Sequence, residues 1–333
     1  DATLIKCDGH SMLIDAGNND KGTLVQNYLQ HQGVETLDYV IGTHPDADHI
    51  GGMDVVLYKF DCKTIIMPDV ANNTRTYDDV VQTMKNKGYK TTYPVVGETY
   101  TIGGAAFTII APNKEYGNDM NSWSVGVLLQ NGNHRFLFTG DAEEGAEQDI
   151  LQNGIDISAD VYKVAHHGSN TATSQAFLDA VHPTYAVISA GEGNSYGHPH
   201  AEVLNRLRAA GVSVFRTDEQ GTIVASSDGT TLTWNMSPSE SWQAGEAKKS
   251  QNTEKSEKAA DSQNNAETDA AVSNPTDQTD GNSDVIVHIT KTGEKYHSAG
   301  CQYLRKSDIE VTLSEAKARG LTPCCLLYTS DAA

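Results

Sequence analysis

Apolar positions along the first 235 residues recur in two periods. Runs that alternate or are uniformly apolar fall at residues 1–7, 11–15, 37–42, 63–67, 105–110, 123–130, 134–139, 160–165, 184–189, 212–215, 221–226 and 230–234. Each has the length of a strand. Between them a 3.6-residue period predicts helices at 23–32, 50–59, 76–87, 143–152, 174–181 and 200–210. Strands alternating with helices over short connections imply layered α/β packing in one domain, residues 1–236. From 237 to 284 the chain is built of Ser, Asn, Asp, Glu, Gln, Lys, Ala and Thr with almost no large apolar residue. Such a segment cannot offset the entropy of folding, so it reads as a disordered polar linker. A third region, 285–333, opens with the strand-like Val285-Ile286-Val287-His288-Ile289-Thr290.

Three of the predicted strands end in chemistry. Leu37 to Gly42 runs into Thr43-His44-Pro45-Asp46-Ala47-Asp48-His49, Phe136 to Thr139 into Gly140-Asp141, and Val161 to Ala165 into His166-His167-Gly168-Ser169. Any one cluster alone can be a solvated turn or helix cap, since His and Asp are common there. Three at the C-terminal ends of strands instead fit an open sheet gathering ligands for divalent metal from distant sequence. Plainer readings stand beside individual residues. One of His166 and His167 can serve only to donate to a backbone carbonyl, and His198 and His200 can be helix-entry residues around Pro199. Gly51 and Gly52 suit either close backbone approach or a simple turn. Cys7 and Cys62 read as buried thiols.

These motifs resemble the metallo-β-lactamase superfamily of metal-dependent hydrolases and, within it, the soluble hydrolase domain of ComEC-type competence DNA-uptake proteins. The resemblance covers about residues 1–235 and rests on Leu13-Ile14-Asp15-Ala16-Gly17, the His44 to Gly52 signature, Thr139-Gly140-Asp141, Ala165-His166-His167-Gly168-Ser169 and Tyr196-Gly197-His198-Pro199. It implies a four-layer αββα fold and two divalent metal ions, zinc or manganese. His44, Asp46 and a bridging Asp141 would hold the first metal, with Asn121 or Ser122 nearby. Asp48, His49, Asp141 and His167 would hold the second, and Asp15-Ala16-Gly17 would support the signature loop. Asp46 stands where the family usually has a second histidine, and the family's isolated histidine has no counterpart, because His134 opens a strand on the wrong side of the loop.

Two metals about 3.5–4 Å apart can activate a bridging hydroxide and clamp a phosphoryl group. The expected activity is therefore that of a two-metal phosphodiesterase or nuclease degrading single-stranded DNA. Asp48 would also orient the water, and His166 and His198 would contact substrate oxygens. The alternatives are a hydrolase of a small or cell-surface phosphodiester, choline-phosphate esterase-like, or of another ester or lactone, and a noncatalytic binding protein. The retained ligand set argues against the last.

Charge complicates the DNA reading. The whole chain carries −20, and residues 1–240 hold 14 Lys and Arg against 30 Asp and Glu. Such a surface repels DNA phosphates at long range, which leaves metals and local bases such as Lys163, Arg206 and Arg208 to hold a strand. The absence of any run of about 18 apolar residues excludes a membrane channel within this piece. Asp1 to Ile5 matches the family's second strand, so the domain is read as N-terminally incomplete, hiding any signal or anchor. The polar linker and the trailing region favour an extracellular or cell-surface enzyme. Region 285–333 resembles small Cys/His modules that trail secreted nucleases. His297, Cys301 and Cys324 would hold a structural zinc with Cys325 as an imperfect fourth ligand, or Cys301 would pair with Cys324 in a disulfide. The adjacent Cys324-Cys325 and the ending Leu326 to Ala333 depart from such modules, so this one reads as truncated.

Overall fold

Asp8-Gly9, an Asp-Gly pair between two apolar runs, makes the first turn of the fold. Both residues have positive φ, 48° and 82°, as a two-residue hairpin loop requires. They join β1 (Thr3–Cys7) to the antiparallel β2 (His10–Ile14) in the register Cys7↔His10. β3 (Thr36–Ile41), β4 (Asp61–Ile66) and the short β5 (Thr91–Thr92) follow in parallel, giving a five-stranded sheet in the order β1-β2-β3-β4-β5. Crossovers are made by α1 (Gly22–His31), by α2 (Ala47–Ile50) with α3 (Met53–Lys59), and by α4 (Arg75–Lys87). The computed structural model describes residues 1–245, 286–290, 295–297, 309–312, 315–316, 319 and 322–323.

The second sheet begins as a meander. β6 (Thr99–Ile102), β7 (Ala105–Ala111), β8 (Gly126–Asn131) and β9 (His134–Phe138) are antiparallel. The parallel β10 (Val161–Lys163), β11 (Tyr185–Ile188) and β12 (Ser213–Arg216) complete it in the order β12-β11-β10-β9-β8-β7-β6. The helices α5 (Glu144–Gln152), α6 (Gln175–Val181) and α7 (Ala201–Ala209) link the parallel part. A smaller hairpin, β13 (Ala225–Ser227) and β14 (Leu232–Trp234), closes the series.

Strand alternation sorts the core into three layers of contact. Leu13 of β2 faces α1, α3 and α4, packing with Leu29, Val56, Leu57 and Val80. Met12 and Ile14, its neighbours, point the other way and meet Phe107, Ile109, Val127 and Leu129 of the second sheet. Leu128, between Val127 and Leu129, faces Phe177, Leu178, Val203 and Leu207 of α6 and α7. Helices, sheet, sheet and helices therefore stack in the expected order, with the inner strands such as β2 and β8 buried on both faces.

Three sequence expectations change. The helix read at 50–59 is two helices, because Gly51 and Gly52 interrupt it against the loop after β2. β5 and β6, two and four residues long, were too short to show a period. Packing also continues past residue 236. Trp242 joins the second sheet's helical core, Arg216 donates to Gln243 O at 2.6 Å, and Gly245 N donates to Pro199 O at 2.9 Å. The chain divides into two compact units, Asp1–Lys248 and Lys249–Ala333.

In the second unit, Ile286–Ile289, Lys295–His297, Ile309–Thr312 and Thr322–Pro323 form a four-stranded sheet, with His297 opposite His288. Cys301, Cys324 and Cys325 lie outside the described residues. Cys62 is buried, its thiol pushed up to about 12 chiefly by burial, whereas Cys7 is only half-buried.

In the first sheet Asp38 on β3 ties together its two neighbouring strands, β2 and β4, and makes the fold acid-sensitive. It accepts from Ser11 N at 3.1 Å and Lys63 Nζ at 2.7 Å, and faces His10 Nδ1 at 3.1 Å. Burial opposes its ionisation, yet the bonds from Lys63, Ser11 and His10 prevail and bring it from 3.8 to about 2. A depressed carboxyl stabilises the fold above its unfolded pKa and ceases to do so as pH falls through its folded value. The melting temperature should thus fall from about pH 4 to 2, and Asp38→Asn should flatten that limb. Parallel acid limbs in the two proteins would refute the assignment.

Candidate metal centre

Asp15, at the tip of β2, organises the signature loop. It takes a left-handed φ of 59° and turns its carboxylate under the end of β3. There it accepts from Thr43 N at 2.8 Å, from Thr43 Oγ1 at 2.8 Å and from His49 Nδ1 at 2.8 Å. The last bond places a proton on Nδ1 and leaves Nε2, which points away from Asp15, as the nitrogen that can ligate. α2 contributes by carrying His49 within its single turn, and the backbone bond Ala16 N to His49 O (2.7 Å) fastens that turn to the Asp15 loop.

His49 Nε2 faces Asp141 Oδ1 at 3.1 Å, and His167 Nε2 faces Asp141 Oδ2 at 3.3 Å. Asp141 thus stands between two imidazoles. With Asp1 they form a group in which one ligand atom from each residue lies within 4.8 Å of all the others. Asp1 Oδ1 is 3.3 Å from His167 Nδ1, while its other oxygen pairs with the buried Lys163 amine. Burial resists ionisation of Asp141, but His49 and His167 hold its carboxyl well below the usual range.

The site passes a test of fit for metal. Asp1 Oδ1, His49 Nε2, Asp141 Oδ1 and His44 Nε2 are buried without a hydrogen-bond partner among the described residues. Unpaired buried polar atoms are costly, and converging lone pairs especially so. One or two divalent cations satisfy them.

The remaining expected site residues fall around this group in different ways. His44 is buried, its ring 4.1 Å from that of His49 and its Nε2 3.8 Å from Asp46 Oδ2. Burial, with His49 next to it, pulls its imidazole down to about 3, so the ring is neutral and suited to ligation. Asp46 also receives Asn72 Nδ2 at 3.4 Å. Asp48 is 44% exposed, its Oδ2 3.0 Å from His167 Nε2. It lies beside the four-residue group, its Oδ2 also 3.7 Å from His49 Nε2. His166 Nε2 is 3.8 Å from Asp141 Oδ2, and its Nδ1 lies 3.1 Å from Thr171 Oγ1. His198 is buried with its ring 5.6 Å from His166 and 5.9 Å from His167. His166 and His167 both adopt positive φ, 48° and 55°, a strained pair of the kind that sites hold in order to aim side chains. His167 Nδ1 does donate to a carbonyl, Ser189 O at 2.9 Å, while its other nitrogen serves the centre.

Asn121 donates to Glu143 Oε1, which lies 3.3 Å from His166 Nδ1, and Ser122 donates to Asp119. Ser124, one turn further, meets His44, with Oγ 3.3 Å from His44 Nδ1 and accepting from Asp141 N at 3.0 Å. Asp1 was not foreseen as a ligand. The hairpin register Thr3↔Ile14 holds the signal: a residue just before an antiparallel β1 lies beside the C-terminal tip of β2, where the other ligands gather. His134 lies elsewhere, 2.7 Å from Ser227 Oγ.

Because Asp15 fixes the His49 tautomer, Asp15→Asn should weaken divalent-metal binding roughly 10–100-fold. Titration calorimetry with Mn²⁺ or Zn²⁺ reads this directly, and an unchanged dissociation constant would exclude the role.

Comparison with known proteins places this geometry in context. The pattern of the Metallo-beta-lactamase superfamily matches residues 1–192. The chain is 33% identical over 196 residues to "ComE operon protein 3" of Bacillus subtilis, covering 59% of this chain and 25% of that protein. It is 32% identical over 227 residues to "Recombination protein 2" of Haemophilus influenzae, covering 67% and 27%. To "Competence protein ComA" of Neisseria gonorrhoeae it is 28% identical over 224 residues, covering 67% and 30%. The chain therefore spans between a quarter and a third of the length of these relatives.

Proposed function

The chain belongs to the metallo-beta-lactamase superfamily and is a metal-dependent hydrolase, and from that premise we propose that it cleaves phosphodiester bonds of single-stranded DNA with two divalent ions, zinc or manganese. The observation that carries this reading is the buried meeting of His49, Asp141, His167 and Asp1 with unpaired ligand atoms. Metal held there supplies a water made nucleophilic near neutral pH and positive charge against a phosphoryl oxygen. Asp141 would join two positions, the first completed by His44 and Asp46 and the second by Asp48, His49 and His167, the imidazoles of the last two facing it. Asp48, half in solvent and bonded to His167, orients the attacking water. His166 and His198 stand beside the pair Asp141–His167 and contact the phosphoryl or leaving oxygen.

DNA as substrate is supported by the names of two relatives, a competence protein and a recombination protein, and kinship with the ComEC-type branch belongs to the same proposal. The polar segment after the domain favours an extracellular or cell-surface setting. Among the described residues no helix is long and apolar enough to cross a membrane. The excess of 30 acidic over 14 basic residues in 1–240 favours a second reading, a small or cell-surface phosphodiester such as a choline-phosphate ester. Incubating the full chain with end-labelled single-stranded DNA and with a small diester, in Mn²⁺, Zn²⁺ or Mg²⁺, separates the two. DNA cleavage is the expected result; cleavage of the small diester alone transfers the assignment to the second reading, and cleavage of neither rejects both.

A further inference from the structure

Of the three bases expected to hold a DNA strand, Lys163 is buried, Arg206 is half-buried and Arg208 is exposed but lies over an aromatic ring. Lys163 pairs with Asp1, Arg206 donates to Ala172 O at 3.3 Å and Thr173 O at 3.0 Å, and Arg208 lies over the Trp242 ring at 5.7 Å. An acidic domain with Lys163 and Arg206 tied into the fold gains by gripping a strand through metal and uncharged contacts. Stacking of bases on aromatic rings is the uncharged contact that serves any sequence.

The loop between β11 and α7 offers one such ring. Asn194 Oδ1 accepts from Tyr196 N at 3.2 Å and from His198 N at 3.0 Å, while its Nδ2 donates to His198 O at 2.7 Å. His200 Nε2 reaches Tyr196 O at 3.2 Å, and its Nδ1 accepts from Asn170 N at 3.0 Å. Tyr196 is thus held at both its backbone nitrogen and its carbonyl, yet its side chain is 76% exposed, the most exposed large apolar residue among the described ones. Isolated exposed aromatics are ordinary. An aromatic with an immobilised backbone beside a catalytic centre is a different case, because ordering its ring costs little further entropy.

The ring also has a direction. It stacks on His198 with centroids 5.6 Å apart and planes 16° from parallel, and His198 stacks on His167 at 5.9 Å and 26°. Tyr196, His198 and His167 make a file of near-parallel rings running from solvent to the metal centre. The phenol hydroxyl has no hydrogen-bond partner among the described residues, so the flat face is what the side chain offers.

Resting on the DNA reading above, we infer that Tyr196 is the stacking platform for the nucleobase next to the scissile phosphate. It sets a preference for base-bearing over abasic strands. The test uses the full chain with Mn²⁺, wild type beside Tyr196→Ala and Tyr196→Phe. Each receives two single-stranded oligonucleotides of equal length, one carrying 2-aminopurine and the other abasic through its centre. Wild type should quench 2-aminopurine fluorescence and show a lower KM for the base-bearing strand. In Tyr196→Ala the quenching should weaken and the KM ratio between strands fall about tenfold, while Tyr196→Phe should retain both. Undiminished quenching or an unchanged KM ratio in Tyr196→Ala overturns the platform and leaves the nuclease reading standing. If wild type cleaves neither strand, the nuclease reading falls, and quenching alone decides the platform: its loss in Tyr196→Ala upholds it, its absence from wild type overturns it.

Discussion

Asp141→Asn removes both divalent-metal binding and hydrolysis, with activity falling on the order of a thousandfold, well beyond the roughly 10–100-fold cost of losing an outer partner. The reason is position. Asp141 lies between His49 and His167 at 3.1 and 3.3 Å, and the amide keeps the volume while losing the charge and one acceptor oxygen. Its backbone nitrogen is held by Ser124 Oγ, so the variant should fold, as circular dichroism can verify. Calorimetric titration with Mn²⁺ and Zn²⁺ then reads the centre without relying on any substrate. A folded variant that binds metal as tightly as wild type would show that the cluster is not the site.

Gly51→Ala should be the most damaging single-methyl change in the signature. A Cβ there would lie 2.3 Å from Asn19 N and 2.6 Å from Asn18 C. These are backbone atoms, so no rotamer change relieves the clash. The expected loss is about 3 kcal/mol, the upper end of ordinary overpacking, or a melting temperature lower by roughly 6–12 °C for a domain of this size. Metal affinity should fall with it, because the displaced turn carries His49. Gly145→Ala is the control, since nothing lies within 4 Å of its added Cβ. Equal melting temperatures for Gly51→Ala and wild type would mean that the two loops separate freely. The contact resolves the two sequence readings of Gly51: its φ is −58°, within reach of any residue, so close approach and not turn geometry demands glycine.

Much of the site was legible because its ligands follow strands. Periodicity places β3, β9 and β10, and the residues just past their C-terminal ends include His44, His49, Asp141 and His167. Asp1 and Ser124 were illegible for opposite reasons. Asp1 precedes a strand and becomes a neighbour only when the Asp8-Gly9 hairpin folds β1 back. Ser124 sits three and two residues from the expected Asn121 and Ser122, a difference that a short helical turn at Asn121–Trp123 decides. Lys163, read as a free base for DNA, turns inward to Asp1 because alternation along a strand buried on both faces leaves β10 no exposed side.

The sequence by itself determined most of the elements and the residue types that converge. Those follow from hydrophobic period and turn chemistry, which act over a few residues at a time. Tertiary structure alone decided which carboxylates meet the imidazoles, which cations are spent internally and which aromatic ring remains open to solvent. These depend on register between strands far apart in the chain and on close backbone approach at Gly51, where a few tenths of an ångström separate contact from clash.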